Sequence, residues 1–330
     1  MSNPKVDETT QSPVLGMGIA LLGFALYSTH DAITKYVGAS LSVFQIIFFA
    51  MLFAFVPMSI MMLADKSVGN FRPKKPWLVL LRSTTMIIGL SCAFYAFTVL
   101  PLAEVYSLLF AAPLLITVFS IPILGEVVRA QRWAAVIVGL IGVMIVLRPG
   151  ASEFTLGHAA GLISACCSAL SSVLVRKIGR QERTVVMILF PMILAMVVMG
   201  MLLPQVYTPM TLSQLALVAC IGLFSVFAQF AVIAGYRRAP AAVVAPGQYS
   251  QIIWATVFGM LFFGEQPDIY VGIGSTIIIG SGIFVVWRES RANVSARYPV
   301  LRTLTTRLAI APTIRRPLNP GEEPTSPPLS

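Results

Sequence analysis

Charge is scarce in this chain: Asp, Glu, Lys and Arg make up 11% of its 330 residues, against about 25% in a soluble domain. That shortage excludes an ordinary water-soluble protein. Two histidines and four cysteines leave little metal or redox chemistry to build with. Cys92, Cys166, Cys167 and Cys220 all fall inside apolar runs, with no spacing of a zinc site or disulfide framework, and read as small packing residues. The carboxylates are scattered, so no nucleophile, metal cluster or acid/base pair of a membrane enzyme is assembled. No glycine-rich phosphate-binding motif occurs, so the sequence implies neither a nucleotide-driven machine nor a bound cofactor.

Apolar sequence is what the chain has instead. It is 57% hydrophobic, and its mean hydropathy is +0.85. A membrane-crossing helix needs roughly 20 apolar residues, and ten runs qualify: 14–35, 41–64, 77–99, 102–124, 130–147, 157–176, 184–204, 212–235, 241–263 and 269–287. The expected fold class is therefore all-α integral membrane, with the lipid bilayer as a partner. The segment 1–13 opens with acidic Asp7 and Glu8 and runs into a full-length span, unlike a cleaved signal. Residues 289–330 turn to Arg, Pro, Ser and Thr with seven prolines, which reads as a disordered cytoplasmic tail. Within it, 298–310 has enough Leu, Ile and Arg for a weak anchor on an anionic leaflet.

The basic residues set the orientation. With the N-terminus inside, 20 of the 23 Lys and Arg residues fall on the cytoplasmic side; Lys35 and Arg148 fall outside, and Arg82 stays within a span. Both termini are expected in the cytoplasm of a bacterial-type inner membrane. The net charge of +10 then follows from topology and an anionic inner leaflet, which removes any need for a nucleic-acid partner.

The chain also repeats itself. Shifted by 139 residues, Pro101–Glu126 lies over Pro240–Glu265, matching at the proline, at Thr117-Val118-Phe119 over Thr256-Val257-Phe258, and at the closing Gly-Glu. A shift of 140 sets Gly142–Arg148 over Gly282–Arg288, and one of 141 sets Lys35–Gly38 over Arg176–Gly179. Each half holds an odd number of runs, so the second copy enters the membrane upside down, and the loop charges agree. Loop 65–76 carries four basic residues and its counterpart 205–211 none. The expectation is a 5+5 inverted repeat, 14–148 and 157–288, with a substrate site near the midplane between the halves.

Phe94-Tyr95-Ala96 leading to Leu100-Pro101-Leu102-Ala103, the Gly125-Glu126 and Gly264-Glu265 helix ends, and the Gly-rich helices that follow resemble the drug/metabolite transporter superfamily in its ten-helix EamA branch. The likeness covers about 14–288. It implies a cavity walled by spans 1–4 and 6–9, with spans 5 and 10 at the periphery, alternating between inward- and outward-open states.

Ionisable groups inside spans are costly and mark function by default. His30 and Asp31 on the first span, with Glu104 and Tyr106 opening the fourth, are read as one outer-half cluster, His30, Asp31 and Glu104 for proton coupling and Tyr106 for substrate binding. The alternative is that His30 and Asp31 satisfy each other and Glu104 meets headgroups. Arg82 is read either as a cation for substrate or as a side chain reaching to the interface. Gln248, Tyr249, Gln251 and Trp254, after Pro246 and Gly247, form the clearest recognition strip, with amides and rings suited to a planar heteroaromatic. Interhelical hydrogen bonding is the competing use of the glutamines. Tyr27, Gln45, Tyr95 and Gln229 are weaker candidates, and His158 reads as a surface or interface residue. Gly139, Gly142, Gly272, Gly274, Gly280 and Gly282 read first as close-packing positions and second as a homodimer contact.

The sequence thus points to a secondary carrier for a small-molecule substrate, with riboflavin or a similar planar metabolite first. S-adenosylmethionine exchange, amino-acid or drug export, and a non-transport scaffold are the alternatives.

Overall fold

Hydrocarbon offers backbone N–H and C=O groups no partners, so a chain this apolar must satisfy them within its own segments, and every described element is helical. The computed structural model describes residues 13–64, 73–126, 128, 130–148, 153–178, 182, 184–266 and 268–290. The expected N-terminal segment before Pro13 and the tail from Arg291 lie outside the described residues, as do most of the loop positions on which the charge pattern rests.

The helices are α1 (Pro13–Gly38), α2 (Val43–Ala64), α3 (Pro76–Val99), α4 (Leu102–Leu109), α5 (Ala112–Leu124), α6 (Ala130–Leu147), α7 (Leu156–Ile178), α8 (Thr184–Val206), α9 (Leu212–Arg238), α10 (Ala241–Val244), α11 (Ser250–Phe263) and α12 (Ile269–Ser290). Among the described residues eight segments are long and apolar enough to cross a membrane, the fourth being Leu102–Leu124 taken whole, and Ile269–Val285 is a shorter apolar helix.

Two of the ten expected runs are interrupted. The fourth divides into α4 and α5 at Phe110-Ala111, and the ninth into α10, a 3₁₀ turn over Ala245–Tyr249, and α11. Proline is the cause in both: Pro113 opens α5 and Pro246 opens the 3₁₀ turn, each lacking the N–H that a continuous helix would use. The 139-residue shift sets Phe110 over Tyr249, so the breaks share one place in the repeat. Both runs also end alike. Gly125 (φ 70°) and Gly264 (φ 63°) take the left-handed conformation that ends a helix at little cost only in glycine. Each is followed by a glutamate.

Packing between the halves is reciprocal. Helix α1 packs chiefly on α9 and α3 on α7, while α6 packs on α12 and α2 on α8. Under the repeat, α1 corresponds to α7 and α3 to α9, so the first two pairings are the same contact made twice. Small residues permit the approach: a Cβ on Gly235 would lie 2.8 Å from Gly16 O, one on Gly274 2.6 Å from Gly142 O, and one on Gly142 2.9 Å from Gly274 O. Gly142 and Gly274 are therefore spent within the chain.

The ends of the bundle are tied by charge. Arg176 pairs with Glu126 and Arg148 with Asp268. Glu265 pairs with Lys35 and accepts the Leu102 N–H at 3.0 Å, joining α1, α4 and the end of α11.

Candidate functional site: a central polar cavity

A cavity opens in the middle of the bundle. Its lining comes from α1, α2, α3, α4, α7, α8, α9, the 3₁₀ turn and α11, and none of it from α6 or α12. The wall is largely apolar, from Phe24, Phe94 and Phe97 to Met51 and Met58, with few polar groups, as small-molecule sites commonly are.

Asp31 is the centre of the polar part and is 1% exposed. Tyr106 donates its hydroxyl hydrogen to Asp31 Oδ2, so the Ser28 hydroxyl, 3.1 Å from Tyr106 O, is left to donate to the tyrosine. His30 Nδ1 lies 2.8 Å from Asp31 Oδ1 and carries the proton when the carboxylate is ionised. His30, Asp31 and Tyr106 all line the cavity. On α9, Gln229 Oε1 accepts the Tyr27 hydroxyl at 2.5 Å, placing a second polar bridge in the same wall.

Glu104 does not join this cluster. It precedes Tyr106 by two residues, about 200° around the helix, and meets His158 Nε2 at 2.8 Å instead. His158 is buried rather than superficial: its Nδ1 accepts the Thr155 N–H at 3.0 Å.

The expected strip on the ninth run divides. Gln248 and Gln251 line the cavity, with Gln251 Nε2 donating to Gln248 O at 3.2 Å. Tyr249 turns away toward α12, where a Cβ on Gly282 would lie 2.9 Å from its Cζ. Trp254 is 38% exposed on the outside, tilted against Phe258. Three helical residues fall about 60° short of a full turn, so a strip spaced by three winds off the cavity within two steps.

Arg82 is placed elsewhere again. It neither reaches the interface nor lines the cavity: it is 0% exposed and its Nη1 donates to Met187 O on α8 at 2.7 Å. Gln45 is likewise structural, donating to Thr208 O at 2.7 Å and accepting from Thr208 N at 2.9 Å. Tyr95 lies outside the lining.

Sequence reasoning missed the serines of α7. Ser164, Ser168, Ser171 and Ser172 all line the cavity. Their spacing of four, three and one residues on a helix marks one face and was the available signal.

A helical bundle sized for a membrane, with a largely apolar pocket at its centre lined from both halves and carrying a few polar groups, fits a membrane carrier for small molecules. The sequence profile of the EamA-like transporter family matches the chain twice, over 14–148 and 155–287, and the chain belongs to that family. It is a multi-pass membrane transporter and not an enzyme. It is 24% identical to an S-adenosylmethionine uptake transporter of Rickettsia bellii over 84% of this chain and 95% of that one. Similarity extends to a pseudopaline exporter of Pseudomonas aeruginosa, at 28% over 80% of this chain and 93% of the other. It also reaches a riboflavin transporter of Rhizobium johnstonii, at 27% over 72% and 79%. A solved crystal structure shares the fold with a TM-score of 0.57 at 20% identity, covering 81% of this chain and 96% of its own.

Proposed function

We propose that this chain is a ten-span 5+5 inverted-repeat carrier of a bacterial inner membrane, both termini cytoplasmic, that takes up a positively charged or zwitterionic metabolite of the S-adenosylmethionine type. The observation that carries the substrate reading is the charge of the lining: among the described residues, Asp31 and His30 are its only ionisable groups apart from the Tyr27 and Tyr106 phenols. A lone carboxylate in an apolar wall favours a cation, whether a sulfonium, an ammonium or a proton. The Rickettsia relatives named as S-adenosylmethionine uptake transporters support the same class and direction.

Competition at Asp31 makes this an exchanger: one cation occupies the carboxylate at a time, so uptake draws on the exit of another cationic metabolite, while an inward proton gradient opposes it. A proton or a cationic substrate neutralises the carboxylate, and either lets the cavity close around it with less desolvation cost. Glu104, held by His158, has no part in this reading. The inverted arrangement is supported by the opposed loop charges, the reciprocal packing and the helix breaks at Phe110 and Tyr249. Gly272 and Gly280, which meet no neighbour, leave room on α12 for a homodimer contact.

Riboflavin is the second reading, favoured by Gln248 and Gln251, whose amides suit the edge of a heteroaromatic ring. It is weakened because Tyr249 and Trp254, the rings expected to stack on it, are outside the lining. Proteoliposome uptake of radiolabelled S-adenosylmethionine, riboflavin and an amino-acid mixture, with and without a pH gradient, tests the choice. Saturable accumulation of the first is expected, and accumulation of riboflavin alone overturns the cationic reading.

A further inference from the structure

The cavity-lining positions of the two halves correspond, and their chemistry does not. The shift of 141 residues sets Tyr27, His30 and Asp31 of α1 over Ser168, Ser171 and Ser172 of α7, and all six line the cavity. One half therefore presents a carboxylate and an imidazole where the other presents hydroxyls. Duplicated halves begin alike, so the present difference gives the cavity two unlike poles.

Ser171 stands out among those hydroxyls. A serine inside a helix ordinarily satisfies itself by donating to a carbonyl three or four residues back. Ser172 donates to Ser168 O at 2.9 Å, Ser83 to Val79 O at 2.8 Å and Ser225 to Gly222 O at 2.7 Å. Ser171 Oγ makes no such bond and has no partner among the described residues, although the residue is 3% exposed. A buried hydroxyl without a partner is destabilising by itself; Ser171 Oγ is enclosed in this state, and a turn about its Cα–Cβ bond would bring it to the cavity that the residue lines, where a ligand would accept its hydrogen bond.

We infer that Ser171 is a substrate contact, donating its hydroxyl to a carboxylate oxygen of a metabolite whose cationic centre is held at Asp31. This rests on the cationic or zwitterionic substrate class proposed above and adds polarity to it: the cation faces α1 and the carboxylate faces α7. The two poles then select for a molecule that carries both charges, and a cation without a carboxylate loses one of its two anchors.

The test compares S-adenosylmethionine with its decarboxylated form in proteoliposomes holding the full chain, either wild-type or Ser171→Ala. Wild-type protein is expected to prefer the carboxylated compound. Ser171→Ala should raise the KM for that compound by roughly ten- to a hundredfold, the worth of one hydrogen bond to a charged group. The KM for the decarboxylated compound should stay within about twofold, since the lost hydrogen bond has no partner there. Thermal stability should not fall, because removing an unsatisfied buried hydroxyl is neutral or favourable. Ser91→Ala, which removes a hydroxyl bonded to Ile87 O at 2.8 Å outside the lining, is the control and should leave both KM values in place.

An unchanged KM for the carboxylated compound, or an equal rise for both, overturns the contact. If wild-type protein carries neither compound, the substrate class has failed rather than the serine, and Ser171→Ala is read on riboflavin and the amino-acid mixture. A raised KM for a transported amino acid then keeps the carboxylate contact, and an unchanged KM, or transport of riboflavin alone, ends it.

Discussion

Lys35 Nζ lies 2.8 Å from Glu265 Oε1, and the residues that the repeat sets over these two, Arg176 and Glu126, form an ion pair as well. Each bond joins the first half of the chain to the second. Each also sits where a left-handed glycine ends a helix and turns the following glutamate toward the other half. The Lys35 and Glu265 side chains are 14% and 17% exposed, too enclosed for the near-zero value of a surface pair. Neither pair lines the cavity; in the inverted arrangement proposed above, the two pairs would tie the halves together at opposite ends of the bundle.

Lys35→Ala or Glu265→Ala is expected to weaken closure at their own end of the bundle by about 2 kcal/mol, roughly 30-fold in the closed-to-open ratio. A cysteine placed at Ala93 on the cavity wall, with the four native cysteines replaced, should label faster from that side only. The exchange Lys35→Glu with Glu265→Lys should restore slow labelling. Failure of the exchange to restore it would remove the pair from gating.

Asp31→Asn keeps the shape of the site and deletes its charge. Uptake should fall by roughly tenfold or more, as when a charged hydrogen-bonding group is lost, while size-exclusion behaviour and thermal stability remain near wild type. Glu104→Gln should retain most of the uptake, because Glu104 faces His158 rather than the cavity. Equal loss in both variants would argue against a special role for Asp31.

The divided ninth run makes a paired prediction. Gln251→Ala should raise the KM by roughly three- to tenfold, the worth of a lost hydrogen bond to substrate. Trp254→Ala should leave it unchanged, since that ring is on the outer surface. A KM that moves with Trp254 and not with Gln251 would reverse the assignment of faces.

Arg82→Ala should act on stability. It empties a fully buried position and leaves Met187 O without its donor, costing about 2–4 kcal/mol. A lowered melting temperature of the purified protein, with the KM of the surviving fraction unchanged, is the expected outcome. A selective change in KM would return Arg82 to the binding site.

Gly142→Leu should be at least as damaging, since a Cβ there would already lie 2.9 Å from Gly274 O. Overpacking of this kind costs about 1–3 kcal/mol and more when backbone is the obstacle. Thermal stability in detergent reads it directly.

Much of the architecture was written in apolar run lengths, which is why the unbroken helices α1–α3 and α6–α9 fall within a few residues of their expected limits. The breaks at Phe110-Ala111 and Ala245–Tyr249 were less visible: Pro113 and Pro246 were there to read, yet a hydropathy window averages across them. Asp31, His30, Tyr106, Gln248 and Gln251 were legible because polar groups are rare in spans, and all five line the cavity. Arg82 and Glu104 were legible for the same reason and are engaged elsewhere, by a carbonyl on α8 and by His158. Rarity says that a polar group has a partner, and only the fold says which. The serines of α7 escaped for the opposite reason, since serine is common in membrane helices and only its spacing marks a face.

The crossed ion pairs bear on how such a chain could have arisen. The first half carries the base Lys35 and the acid Glu126, and the second carries Arg176 and Glu265. Each half therefore holds one of each charge, at positions that meet the opposite charge of its counterpart. A half-length ancestor with that arrangement would have been complementary to a second copy of itself, and fusion of two such copies preserves the seam without inventing a new contact.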